Sequence, residues 1–359
     1  MKLKLRENCI YGVAVPTSMG IRITPLNGAP VHTSNLYHMQ ATSAETNVIN
    51  ISSSLGHKGL ALTNFVQDSP ISYFIKSELR RRNINFLGPD IPQGGPWGYR
   101  HQFNIADSGY GTRGPRVHND RAGEVGRILS SKDFDFDSIF GEDGVRILHI
   151  SGLIAAISSE TTRFCIEAIR AAKKYNTRVS FDLNHRASFW SGREEELRDS
   201  FIEMVSMTDI LIGNEEDYQL CLGTEGPLEG GRDISTQIED YKQMLDGIKK
   251  TFPSICVFGN TLRQVISTNE HLWGAITFFG ETCTIVEPRI IKVIDRIGGG
   301  DGFAGGLLYG ILTGMEPEKA TQFGWASGSL ATTILEDYAT PIDEKMVWSI
   351  YQGNARVVR

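Results

Sequence analysis

At 359 residues, 40% of them hydrophobic and 22% charged, the chain has enough apolar content to bury one large core. A net charge of −6 gives no basic footprint for nucleic acid, and no run approaches the ~20 uninterrupted apolar residues that cross a bilayer, so neither a nucleic-acid partner nor a membrane is expected. Five cysteines with no C-x-x-C pair fit reduced thiols in a cytoplasm better than a disulfide framework.

The first eight residues are charged, and the apolar run after them, Cys9 to Pro16, is too short for a secretory leader; Cys9–Val15 reads as an opening strand. Helical periodicity covers Ala44–Leu55 and Ser69–Asn83, the second with a charged end at Arg80, Arg81 and Arg82. Two stretches, 18–36 and 94–120, are rich in Gly, Pro, Asn and Thr with short alternating runs, which predicts antiparallel strands apart from the main sheet. They read equally well as a cover over a site or as surface ribbons. Arg146–Ile150 is then a strand, Ser159–Tyr175 an amphipathic helix, Arg178–Asp182 a strand and Glu194–Met207 a helix. Ile210–Gly213 and Ile255–Phe258 continue the alternation, Gly223–Gly231 reads as a loop, and Gln264–Ser267 with Leu272–Ile276 reads as a β-ribbon. This succession predicts an α/β fold, a mostly parallel sheet with helices on both faces, in one domain over residues 1–359.

The most informative segment follows. Ile290, Ile291, Val293 and Ile294 read as a buried strand, Gly298-Gly299-Gly300 as a turn, and Phe303, Leu307, Leu308 and Ile311 recur at helical spacing. Such a turn aims backbone N–H groups outward at the positive end of a helix dipole, where a phosphoryl anion is stabilised. A carboxylate there, Asp301, opposes an anion unless it takes a proton from an attacking hydroxyl. Two other readings stay open on this segment alone. Gly300 to Gly305 fits the dinucleotide G-x-G-x-x-G, although no acid ends a strand about 20 residues on; and Asp301 could be an ordinary helix cap.

The segment resembles the C-terminal signature of the ribokinase-like (PfkB) carbohydrate kinases, D-T-x-G-A-G-D, in the D-R-x-G-G-G-D form of the 2-keto-3-deoxygluconate kinase branch. Other matches come in family order. Asp182, Asn184, Arg186 and Trp190 are similar to D-x-N-x-R-x-x-x-W, Asn214 to Asp217 to N-x-x-E, and Thr261-Leu262-Arg263 to a T-L-R after a strand. Thr333 to Tyr338 is similar to T-I-x-G-D-F, and Val117 to Gly123 to V-x-Y-D-R-A-G. The resemblance implies a ribokinase-like three-layer α/β fold in which 18–36 and 94–120 form a small β lid over the sugar and a dimer contact. It implies a cytoplasmic enzyme that moves the γ-phosphoryl of ATP, with Mg²⁺, to a small sugar or sugar acid. A catalytically degenerate sugar- or nucleotide-binding sensor of the same fold is the alternative, and retention of Asp301 argues against it.

Residue by residue, the resemblance makes Asp301 the base and gives the amides of Gly298, Gly299 and Gly300 the developing charge. Asn214 and Asp217 would hold Mg²⁺ through water; plain capping of the following helix is the competing reading. Asn184, Arg186, Asn214, Thr261 and Arg263 would border the nucleotide, while Asn47, Arg121, Arg186, Arg296 and Asp337 would contact the sugar. Arg296, beside the anion site, is expected to hold a sugar-acid carboxylate. The sugar half departs from the family: Thr42-Ser43 replace a Gly-Gly pair, Thr17-Ser18 an early G-E or G-D, Asn119 a lid tyrosine, and Glu124-Val125 an S-A. Glu124 would oppose an acidic substrate if it faced the pocket.

Overall fold

The computed structural model describes residues 3–227 and 238–354. Strand β1 (Tyr11–Pro16) is followed by β2 (Gly20–Pro25) and β3 (Tyr37–Thr42), then by helix α1 (Ala44–Ser54) and β4 (Gly59–Leu62). A short β5 (Phe65–Val66), α2 (Pro70–Arg81), β6 (Ile84–Leu87) and a short β7 (Asp90–Ile91) precede β8 (Gln102–Asp107) and β9 (Arg116–Asp120). The alternation resumes with β10 (Val145–Ser151), α3 (Gly152–Ala156), α4 (Ser159–Lys174), β11 (Arg178–Asp182), α5 (Ala187–Trp190), α6 (Glu194–Ser206) and β12 (Ile210–Gly213). Then come α7 (Glu215–Leu222), α8 (Ile238–Thr251), β13 (Val257–Ser267), β14 (Glu270–Phe279), β15 (Thr282–Lys292), α9 (Gly299–Leu312), α10 (Pro317–Ala331) and α11 (Glu344–Gln352).

Nine strands form the main sheet in the order β15-β14-β13-β12-β11-β10-β1-β4-β6. It is parallel from β13 to β6, with an antiparallel meander β13–β15 at one edge. The parallel strands are buried on both faces, as β1 shows along its whole length, because helices cover both sides. One core cluster packs α4, α6 and α8 on one face, and a second packs α1, α9 and α10 on the other. The chain runs from β1 outward through β4 and β6, then returns to β10 on the other side of β1. This reversal between β1 and β10 is the place where open α/β sheets bind ligands, beyond the carboxyl ends of the strands.

A separate four-stranded sheet, β3-β2-β8-β9, stands beside the main one. Its extent differs from the expected 18–36 and 94–120, since β3 lies wholly beyond residue 36. Its central pair, β2 with β8, is parallel rather than antiparallel. The expected ribbon at 264–276 is larger as well: β13 runs unbroken from Val257, so its outer half continues past β12 and pairs only with β14. Ile290 and Ile294 are 59% and 54% exposed while Ile291 and Val293 are buried, because β15 is an edge strand with one covered face. Gly223 caps α7 with a left-handed φ of 68°; residues 228–231 of the expected loop lie outside the described part. Arg82, read as part of a charged end, is buried, donating to Asn50 Oδ1 and Thr46 O with its guanidinium over the Tyr338 ring.

All five cysteines are free, and among the described residues no helix is long and apolar enough to cross a membrane.

Candidate active site

Of the three glycines, only Gly298 has a left-handed backbone, φ +83°, and a Cβ there would lie 1.9 Å from Asp337 O. Gly298 is the residue that caps α9; Gly299 and Gly300 are already helical. The expected three-glycine turn is thus one left-handed residue followed by a bare first helical turn. The reason for bareness differs along it. Gly300 faces open space, which leaves its amide accessible, whereas Gly305 carries the close approach of α1, where a Cβ would lie 2.3 Å from Val48 O. Asp301 stands in the first turn rather than at the cap position, which removes the capping reading. The first-turn amides have no helical acceptor, and the dipole there favours negative charge.

Asp301 Oδ2 accepts from Asn47 Nδ2 at 2.9 Å. Burial pushes its carboxyl up to about 6, against the lowering effects of Asn47 and of Arg186. A base must be unprotonated, so kcat/KM rises with pH through about 6 and levels above it. Asn47 holds that value down by donating to the charged form; Asn47→Ala therefore moves the acid limb to higher pH, measured as the lower pKa of the kcat/KM profile.

A cavity of about 280 Å³ opens beside Asp301. It sits at the carboxyl ends of β1 and β10, where Ser18 and Leu153 line it, and the small sheet supplies a wall through Arg22, Asn104 and Asn119. Asn47, Arg121, Arg186, Asp301 and Asp337 all line it, so five of the expected site residues converge there. The departures from the family pattern also find their places. Thr42 Oγ1 donates to Asp337 Oδ2 at 2.7 Å, and Ser43 caps α1 by accepting from Thr46 N at 3.1 Å. Thr17 Oγ1 donates to the buried Glu45 at 2.7 Å. Glu124 does not face the cavity; it lies behind Arg121, whose Nη1 it accepts at 2.6 Å.

Arg296 does not line the cavity. Its charge, with that of Arg263, falls on His271 of β14 and, after burial, lowers that imidazole to about 4. The side chain points toward the antiparallel meander because Asp295, not Arg296, is turned into the core. Thr261 and Arg263 lie within β13, opposite Ala275 and Trp273, not in a loop after a strand.

Asn184 and Arg186 follow β11. Asn184 is buried at φ 37°, its N–H donating to Asp182 Oδ1 and its amide to Ser151 Oγ. Asn214 and Asp217 form a reciprocal capping box on α7: Asp217 N donates to Asn214 Oδ1 at 2.8 Å and Asn214 N to Asp217 Oδ2 at 3.0 Å. Capping is thus observed, and Asp217 Oδ1 also accepts from His185 N. Asp182 is raised well above the usual carboxylate range by burial, then by the charges of Asp217 and Asp301. Burial likewise raises Asp217. Three acids thus share one neighbourhood with Arg186 as the cation common to all of them. No three acids, histidines or cysteines among the described residues approach closely enough to ligate a metal directly. This donor set suits a hydrated Mg²⁺ completed by phosphate oxygens, the coordination that this ion prefers.

Sequence reading missed Arg22. It is 1% exposed on β2 and pairs with both Asp295 and Asp337. Ser108 Oγ also donates to Asp295, at 2.6 Å, and Asp295 Oδ1 accepts from Ile297 N at 3.0 Å. The group thereby joins the small sheet to the segment that carries Gly298. A signal existed, since an arginine between Ile21 and Ile23 in a buried strand requires a buried acid partner.

Known proteins resemble this chain in sequence and in fold. The chain is 25% identical over 344 residues to the 2-dehydro-3-deoxygalactonokinase of Haloferax volcanii, covering 94% of this chain and 96% of that one. It superposes on the 2-dehydro-3-deoxygluconokinase of Thermotoga maritima with a TM-score of 0.84 at 25% identity, over 96% and 98% of the two chains. A chain from E. coli solved in complex with ATP and Mg²⁺ shares the fold, with a TM-score of 0.76 at 17% identity over 96% and 100%. The family model described as "pfkB family carbohydrate kinase" matches residues 143–342, more than half of the sequence and inclusive of Asp182, Asp217 and Asp301, and the chain belongs to that family of carbohydrate kinases, with their ribokinase-like fold.

Proposed function

We propose that this kinase transfers the γ-phosphoryl of ATP to a hydroxyl of a sugar acid, with 2-keto-3-deoxygluconate as the best-matching substrate. The observation that carries the reading is Asp301: a carboxylate with a raised pKa, held by Asn47 at the mouth of α9, facing a cavity of sugar size beside the first-turn amides. Asp301 takes the acceptor proton as the oxygen attacks phosphorus, and the amides of Gly299 and Gly300 receive the charge that gathers on the transferring group. Asn47, Arg121, Arg186 and Asp337 hold the sugar, with Arg186 reaching the carboxylate, because bidentate guanidinium contacts suit that group. Thr261, Arg263 and Arg296 border the nucleotide, whose phosphates lie toward Asn184, Asn214 and Asp217. Mg²⁺, when bound through water to Asp217 and Asn214, neutralises phosphate charge. The two sugar-acid kinases to which the chain is similar over nearly its whole length support the substrate class.

The exposed Tyr37 and Met39 on the outer strand β3 of the small sheet, with Leu36 just before it, support a homodimer through that sheet, and five free thiols support a cytoplasmic setting. ADP release measured against a panel of sugar acids and neutral sugars, with and without Mg²⁺, tests the proposal. The expected result is Mg²⁺-dependent turnover highest with 2-keto-3-deoxygluconate or its C4 epimer; sugar binding without ADP release contradicts it and favours the sensor.

A further inference from the structure

Arg121 reaches the cavity with its charge already taken. Its Nη1 donates to Glu124 Oε1 at 2.6 Å, and Ser18 Oγ donates to the same oxygen at 2.5 Å. Glu124 is 1% exposed, so this pair is poorly screened by solvent. The guanidinium is further fixed over the Phe189 ring, 5.0 Å from its centroid. A substrate carboxylate that approaches Arg121 therefore meets the field of a dipole rather than of a cation. Arg22, a second arginine in the cavity wall, is held by Asp295 and Asp337. Arg186 differs from both: it donates to the carbonyl of His185 at 2.8 Å and forms no ion pair among the described residues.

We propose that Glu124 is a specificity-determining residue. By holding the charge of Arg121 it weakens the pull of that guanidinium on a substrate carboxylate, leaving Arg186 as the cavity arginine without a direct ion-pair partner among the described residues, and so lowers the preference of the site for sugar acids over neutral sugars of the same shape. This inference rests on the sugar-acid reading of the cavity. The Glu124–Arg121 pair still orients the guanidinium, whose buried Nε has no hydrogen-bond partner among the described residues. Glu124 thus trades strength of acid recognition for placement of Arg121.

Glu124→Gln retains the shape and an oxygen for Ser18 while removing the charge. In that variant the KM for 2-keto-3-deoxygluconate falls by about tenfold, the size of one charge-assisted hydrogen bond regained, while the KM values for ATP and for the best neutral sugar of the panel change less than about twofold. Glu124→Ser, smaller and equally uncharged, gives the same direction should the glutamine distort the site, with the melting temperature of both variants as the check on folding. Gluconate, added as a competitive inhibitor against whichever sugar turns over, separates the two readings. Its Ki falls in Glu124→Gln whatever the true substrate is, so absence of sugar-acid turnover counts against the substrate assignment and not against Glu124. An unchanged or raised Ki for gluconate in a folded variant overturns the proposal.

Discussion

Asp301→Asn lowers kcat by a factor of about 10²–10⁴, the contribution of a positioned general base, and at the same time raises the melting temperature at neutral pH. The two effects have one origin. The carboxyl of Asp301 titrates near 6 in the folded chain against an ordinary value of 3.8, so the folded state retains a proton that the unfolded state has lost. Stability therefore falls as pH rises between those values, and the full penalty applies above them. Allowing for the partial exposure of the group, the penalty is on the order of 2 kcal/mol. Asparagine keeps an oxygen for the Asn47 amide and carries no charge, so it removes the penalty along with the base. Thermal unfolding and steady-state kinetics on one preparation read both effects; a variant that loses stability together with turnover points to a structural carboxylate instead.

The largest loss of stability is expected at Arg22. Arg22→Ala leaves Asp295 and Asp337 buried without their cation, and breaking a buried pair from one side costs about 3–5 kcal/mol. Arg22→Lys restores charge but not the fork that reaches two carboxylates, so it recovers only part. The triple change Arg22→Met with Asp295→Asn and Asp337→Asn removes every orphaned charge and is far more stable than Arg22→Ala in urea unfolding. It remains slow in catalysis, because the Asp337 carboxylate lines the cavity and is one of the groups proposed to hold the sugar. Equal midpoints for Arg22→Ala and the triple variant show that the triad contributes shape rather than charge.

The order of strands and helices was legible because parallel strands buried on both faces read as short apolar runs and amphipathic helices read by their period. Asp301 was legible for a similar reason, since a charge between glycines and a small-residue helix conflicts with packing unless it has work to do. The absence of Arg296 from the cavity lining was not legible, because it depends on which of two neighbouring side chains turns inward, and here Asp295 does so, to pair with Arg22. Which way Glu124 faces was not legible, as its pairing depends on Arg121 and on Ser18, which is 106 residues away. The capping box at Asn214 and Asp217 was visible locally. Whether the same residues also serve a hydrated metal depends on three acids brought together from β11, α7 and α9, which no local pattern encodes.

The role of Asp301 as base is tested most directly by a crystal structure with 2-keto-3-deoxygluconate and a non-hydrolysable ATP analogue with Mg²⁺. One sugar hydroxyl is expected within about 3.2 Å of an Asp301 carboxylate oxygen, in line with the γ-phosphorus, with the γ-phosphate against the amides of Gly299 and Gly300. An acceptor hydroxyl nearest to another group, with Asp301 bonded to Asn47 alone and no phosphate at the α9 N-terminus, contradicts it.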